Sequence, residues 1–132
     1  MQENPLAVPI PDESFEFVTA VGVCHHVEPG SRAALTADVR RALTPGGVFA
    51  IIEHNPFNPA TRPIVRRAPV DASAKLLRAA EAESLLRGAG LMPFERSYFP
   101  YLPEGLYRRF GGLADWMKRL PAGGQYAVFG SK

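Results

Sequence analysis

The sequence holds one cysteine, almost no net charge, no internal repeat and no apolar run of membrane-spanning length, and each shortage removes a class of protein. Cys24 alone cannot close an internal disulfide, which fits a reducing compartment. A formal charge of +2 gives no electrostatic case for a nucleic-acid partner, although arginine outnumbers lysine and could form local patches. The opening residues MQENPLAVPIPDE hold no basic segment followed by an apolar run, so nothing there reads as an export signal. No later run approaches the length of a membrane span. A soluble cytoplasmic protein is therefore expected. What the sequence does hold is core material: of 132 residues, 46% are hydrophobic and 21% charged, the balance of one globular domain rather than two.

Pro9, Pro11 and Asp12 mark a turn. Phe15 to Val23, FEFVTAVGV, is apolar almost throughout and rich in β-branched and aromatic residues, the pattern of a strand covered on both faces. Glu28-Pro29-Gly30 breaks the run, and Ser31 offers a helix N-cap. Leu35, Val39 and Ala42/Leu43 then recur at helical spacing, while Arg32, Asp38, Arg40 and Arg41 face elsewhere. Pro45-Gly46-Gly47 ends that helix before a second buried strand, Val48 to Ile52. Strand, helix and strand in this order form a crossover unit, so the two strands should run parallel. Asn55 to Asp71 carries four prolines and reads as an irregular excursion. A helix follows over roughly Ala79 to Ala89, with Gly90 as its stop. LMPFERSYFPYL, residues 91–102, reads as a strand in which Pro93 and Pro100 mark an edge or bulge. Leu106, Phe110, Leu113, Met117 and Leu120 form one apolar stripe of a further helix, and QYAVFG supplies a final strand.

In an open parallel sheet, ligands bind outside the carboxyl ends of the strands. The first strand runs into Cys24-His25-His26 and the second into Glu53-His54-Asn55, so two polar clusters face one crevice. His25, His26, Glu53 and His54 are the candidates for a base or an acceptor-positioning group. The plainer role for each is structural hydrogen bonding at a strand end. If strand geometry continues, His25 and His26 point apart, and only one of them joins Glu53 or His54. Imidazoles beside a carboxylate also suit a divalent metal, which leaves a metal-binding protein as a minor alternative. Cys24 fits a small buried hydrophobe better than a nucleophile. Asn55, Phe57 and Asn58 either meet a substrate or build a rigid Pro-directed turn. Arg62, Arg66 and Arg67 could meet an anionic acceptor or form a solvated face. The apolar stripe, with Trp116 beside it, suits a lid over the acceptor, an interfacial helix at a membrane surface, or packing on the sheet.

Taken in order, PDESFEFVTAVGVCHHV, LTADVRRALTPGGVFAIIEHNP and AESLLRGAGLM resemble the class I S-adenosylmethionine-dependent methyltransferases, of the methyltransferase type 11-like kind, over about Pro9 to Leu91. In that resemblance, Asp12 and Phe15 introduce the fourth strand, which ends in a His-containing segment. Arg41-Ala-Leu43-Thr-Pro45-Gly46-Gly47 leads into the fifth. The implied fold is α/β: a partial Rossmann-like methyltransferase sheet of the fourth to seventh strands, mostly parallel with an antiparallel last strand. Residues 1–132 would be a single, truncated domain. The implied activity is methyl transfer from S-adenosylmethionine to a small-molecule or lipid-like acceptor. Asn4 and Pro5 would lie against the adenine, and Gly22, Val23 and Cys24 near the methionine portion. Asn55, Phe57, Asn58, Arg62 and Trp116 would then be the substrate residues.

The family's Gly-rich turn after a strand, and its acidic residue for the ribose hydroxyls, have no counterpart here. The only G-x-G, Gly88-Ala89-Gly90, follows a helix. Two expectations result. This chain alone should bind S-adenosylmethionine weakly or not at all. Phe15–Val23, beside which the family places its first strand, should offer an unpaired apolar edge to a homodimer partner or a separate amino-terminal half. The alternative function is a non-catalytic remnant acting as a dimerisation module through that edge.

Overall fold

In the computed structural model, which describes residues 10–59, 61–67, 69, 74–99, 108–109, 112 and 119–132, the expected crossover forms. β1 (Phe15–Val21) leads through a 3₁₀ turn (Pro29–Ser31) into α1 (Arg32–Ala42), and α1 into β2 (Leu43–His54). β1 and β2 are parallel, with Val18 beside Phe49 and Val21 beside Ile52. α2 (Thr61–Arg67), α3 (Ala79–Gly88), β3 (Met92–Phe99) and β4 (Gln125–Ser131) follow. The four strands make one sheet in the order β1-β2-β4-β3. β4 is antiparallel to both β2 and β3. Three strands therefore point one way and the last runs against them, the arrangement the sequence implied.

Several local expectations are corrected. Pro45-Gly46-Gly47 does not end the helix ahead of the strand; it lies inside β2, which begins at Leu43. Residues 44–47 bulge out of the ladder, because Phe15 pairs with Leu43 but Phe17 already with Val48. Gly46 takes φ +78, and a Cβ on Gly47 would stand 2.9 Å from the Thr44 carbonyl oxygen, so both glycines are required by the bulge. The proline-rich excursion contains a helix, α2. Its Pro63 falls within the first turn, where the backbone N–H has no intrahelical acceptor to lose. Ser31 stands at the N-cap of α1, but its side chain makes no capping hydrogen bond. α3 ends as expected: Gly90 has φ +82 and the Leu91 N–H returns to the Leu86 carbonyl. β3 is an edge strand with its register shift between Pro93 and Glu95. Trp116 and the stripe residues Leu106, Phe110, Leu113 and Met117 lie outside the described residues.

The core lies between one face of the sheet and the helices, centred on Phe49 and Ile51 of β2, Tyr126 and Val128 of β4, and Leu86 of α3. β2 and β4 are interior strands and deeply buried. β1 is not. Val18 and Ala20 pack with the core, yet Phe15, Phe17 and Val21 are 44%, 56% and 58% exposed. The expectation of a strand covered on both faces fails among the described residues, since the face that carries Phe15, Phe17 and Val21 is exposed. Phe15, Phe17 and Val18 instead line a groove of about 520 Å³ with Leu35 and Val39 of α1.

Candidate active site at the tips of β1 and β2

Parallel pairing brings the carboxyl ends of β1 and β2 side by side. The chain leaves β1 at Gly22, whose N–H still reaches the Ile52 carbonyl (2.9 Å) and whose φ of +63 belongs to the left-handed region. That turn folds residues 23–27 back on themselves through His26 N–H to Val23 O (3.0 Å) and Val27 N–H to Cys24 O (3.2 Å). Cys24 and His25 are swung inward over the end of β2, where both are buried.

Glu53, the penultimate residue of β2, is 1% exposed and receives them. Its Oε1 accepts the Cys24 N–H (2.7 Å) and its Oε2 meets His25 Nδ1 (2.5 Å). The His25 ring lies 4.1 Å from the His26 ring and 5.4 Å from that of His54, centroid to centroid. His26 is exposed and His54 half-buried. All four candidate catalytic residues are thus brought together, and of the two adjacent histidines it is His25 that joins Glu53. Glu53 cannot itself touch an acceptor: both oxygens are committed and it is sealed from solvent.

Arg32 holds the loop from the other side. Its Nε donates to the carbonyls of Cys24 (2.9 Å) and Val27 (3.1 Å), and its Nη2 to that of Lys75 (2.5 Å). The Lys75 N–H in turn reaches the His25 carbonyl (2.9 Å). Arg32 was expected on the outer face of its helix, and it is buried. The available signal was Thr36, uncharged and one turn later on the same stripe, which is also buried.

Burial, reinforced by the Glu53 charge and opposed by Arg32, pushes the Cys24 thiol up to about 11. A thiol so placed is neutral at pH 7. Native protein is therefore expected to leave Cys24 unmodified by a chromogenic disulfide reagent at pH 8, with reaction at the rate of a free thiol once denaturant is added. Rapid labelling of native protein would contradict that burial. Tyr126, opposite Glu53 in the sheet, is likewise held neutral, by burial first and the Glu53 charge second, and its hydroxyl donates to the Leu77 carbonyl (2.7 Å).

The cofactor and substrate candidates divide. Gly22 is half-buried and Val23 exposed at the tip. Cys24 turns its N–H to Glu53, and its carbonyl accepts from Arg32. Asn55 takes a structural place. It is 1% exposed; its Nδ2 donates to the carbonyls of Pro121 (2.8 Å) and Gly123 (2.7 Å), and its Oδ1 accepts the Phe57 N–H (3.1 Å). It latches residues 121–124 to the end of β2, assisted by Asn58, whose Nδ2 donates to the Ala122 carbonyl (2.6 Å). Phe57 is exposed, with the Arg78 guanidinium 5.5 Å from its ring centre. Arg62 lies in α2, and Arg66 and Arg67 are exposed in its last turn. Asn4 and Pro5 lie outside the described residues. Among the described residues, no group of three His, Cys, Asp or Glu is placed to hold a metal ion.

Residues 1–51 match a family model described as a methyltransferase domain. Among solved structures, a S-adenosylmethionine-dependent methyltransferase from Archaeoglobus fulgidus superposes with a TM-score of 0.69 at 15% identity, over 93% of this chain and 62% of that one. Another, from Thermotoga maritima, gives 0.70 at 17% identity over 95% and 59%. The fold is that of class I S-adenosylmethionine-dependent methyltransferases. A 1,6-didemethyltoxoflavin-N1-methyltransferase from Burkholderia thailandensis, with 1,6-didemethyltoxoflavin and S-adenosylhomocysteine bound, shares this methyltransferase fold at a TM-score of 0.59 and 20% identity, over 96% and 49%. The chain spans about three fifths of the length of the first two proteins. No curated protein matches the sequence.

Proposed function

We propose that this chain forms the acceptor side of a S-adenosylmethionine-dependent methyltransferase acting on a small molecule, with residues 1–132 working as one unit. The observation that carries the reading is the convergence of His25, His26 and His54 at the carboxyl ends of two parallel strands in a methyltransferase fold. The bound cofactor would supply a methyl group already activated by a sulfonium, so the protein needs to align the acceptor and, where required, take its proton. Gly22 and Val23 fit one stretch of such a cofactor, because the left-handed turn leaves backbone rather than side chain at the strand tip. Among the described residues, no strand is followed by a Gly-rich turn, so the cofactor fit is partial.

Titration of S-adenosylhomocysteine to millimolar concentration, followed by NMR, tests the site. The expected result is selective shifts at Val23, His25, His26 and His54. A titration that moves none of them overturns the reading.

The partner reading rests on β1. Its apolar edge and the adjoining groove suit a strand from a second copy or from a separate amino-terminal half. Phe17→Lys is expected to suppress concentration-dependent self-association in sedimentation velocity while leaving the circular dichroism spectrum intact. The metal-binding alternative gains no support from the arrangement of the described residues. Among those residues no helix is long and apolar enough to cross a membrane.

A further inference from the structure

Resting on the partner reading of β1, we propose that β1 is a two-fold seam: it pairs antiparallel with β1 of a second copy of this chain, about an axis at Thr19. The Gly22 N–H reaches β2 at the Ile52 carbonyl, and backbone direction alternates along a strand. Phe17, Thr19 and Val21 therefore turn their N–H and C=O groups away from β2. Among the described residues, no strand lies on that side.

The two edges of the sheet are built differently. β3 is guarded: Pro93 lacks a donor, the ladder shifts between Pro93 and Glu95, and Glu95 and Arg96 carry charge. From Phe17 to Val21, β1 holds no proline, no charge and no register shift. Phe15, Phe17, Val21 and Val23 are all exposed.

Self-pairing about Thr19 satisfies backbone and side chains together. Phe17 falls opposite the partner's Val21, Thr19 opposite the partner's Thr19, and Val21 opposite the partner's Phe17. All of these residues point their backbone groups outward, so every outward N–H and C=O from Phe17 to Val21 acquires a partner. On the exposed face the pairs are aromatic with β-branched and threonine with threonine, combinations that stabilise antiparallel ladders. An axis at Val18 would instead set Phe17 against the partner's Thr19. On the core face, Val18 meets the partner's Ala20 at the groove lined by Leu35 and Val39.

Charge selects the same arrangement. Asp12, Glu13 and Glu16 gather at the entrance of β1, where a parallel seam would set them against their own copies. In the antiparallel seam Glu16 stands opposite the partner's Gly22. Asp38 and Arg41 also line the groove with opposite signs, and the two-fold lays α1 antiparallel to its copy. Two sheets of four strands thereby become one of eight. The seam covers about 1,200 Å² or less in total, the range of weak association, so the dimer forms at micromolar protein.

Sedimentation velocity and NMR test the seam, and neither needs a cofactor. The unmodified chain should pass from monomer to dimer in the micromolar range. Phe17 and Val21 stand roughly 13 Å apart along one strand, so a nuclear Overhauser effect from the Phe17 ring to the Val21 methyls can only cross between copies. That effect is expected. Thr19→Lys and Thr19→Glu each set like charges opposite one another on the axis. Each should weaken dimerisation at least about tenfold, and an equimolar mixture of the two variants should restore it. A chain that stays monomeric to millimolar concentration overturns the second copy as the occupant of this edge. A dimer without the Phe17–Val21 effect, or one indifferent to charge at Thr19, overturns the seam. If Phe17→Lys still dissociates such a dimer, β1 stands as a partner surface in another register. The Overhauser effect is read on the unmodified chain, which answers the question even if a variant fails to fold. The S-adenosylhomocysteine titration judges the methyltransferase reading separately.

Discussion

Glu53→Ala is expected to destabilise the protein by about 3–5 kcal/mol, the cost of leaving one member of a buried pair without the other. Both carboxylate oxygens are used, so the substitution strands the Cys24 N–H as well as His25 Nδ1, and neither lies where water readily replaces the lost acceptor. It also opens a cavity at the end of an interior strand. Urea unfolding of the single variants and of the His25→Ala/Glu53→Ala double variant closes a cycle. The double variant should lose less than the sum of the singles, because removing both members leaves no orphaned group on the ring. A loss below about 1 kcal/mol for Glu53→Ala would mean that the pair is solvated in the native state.

Calorimetry of the isolated chain with S-adenosylmethionine is expected to give no saturable binding below the millimolar range. Two to four absent cofactor hydrogen bonds, at roughly 1–3 kcal/mol each, cost on the order of 100-fold or more in affinity. The described residues offer the turn at Gly22 and Val23 but no Gly-rich turn after a strand, and Cys24 has both backbone groups engaged elsewhere. Micromolar binding by monomeric protein would show that those missing contacts matter less than expected and that the strand tips suffice. Supplying a partner that pairs with β1 should raise the affinity, which links this measurement to the behaviour of Phe17→Lys.

Periodicity and punctuation made much of the architecture legible. A β-branched run, a helix-spaced stretch and a second apolar run can satisfy their backbones only as a crossover, and β1, α1 and β2 are that crossover. Gly90 and Pro93 likewise announced a helix end and an irregular edge. Three features escaped for physical reasons. Phe15 to Val23 reads as doubly covered, because apolarity records what a strand is able to bury and not what lies on it. Arg32 was placed outside, because charge alone does not reveal that three carbonyls converge to receive it. Asn55 offered a substrate contact or a Pro-directed turn, because its amide partners at Pro121 and Gly123 are remote in sequence and no local pattern marks them. The meeting of His25 with Glu53 was expected as a cluster, but its direction was not: the strand ends at Val21, and the left-handed turn at Gly22 is what delivers the imidazole.

β4 is inserted between β2 and β3, and Asn55 clasps the residues that lead into it. During synthesis the histidine-bearing loop and Glu53 emerge from the ribosome long before Gln125–Ser131 does. Until that segment arrives, β2 has an open side and Asn55 lacks the carbonyls of Pro121 and Gly123. A nascent chain halted ahead of residue 121 would therefore carry every candidate side chain before the clasp and the β4 pairing that brace the end of β2.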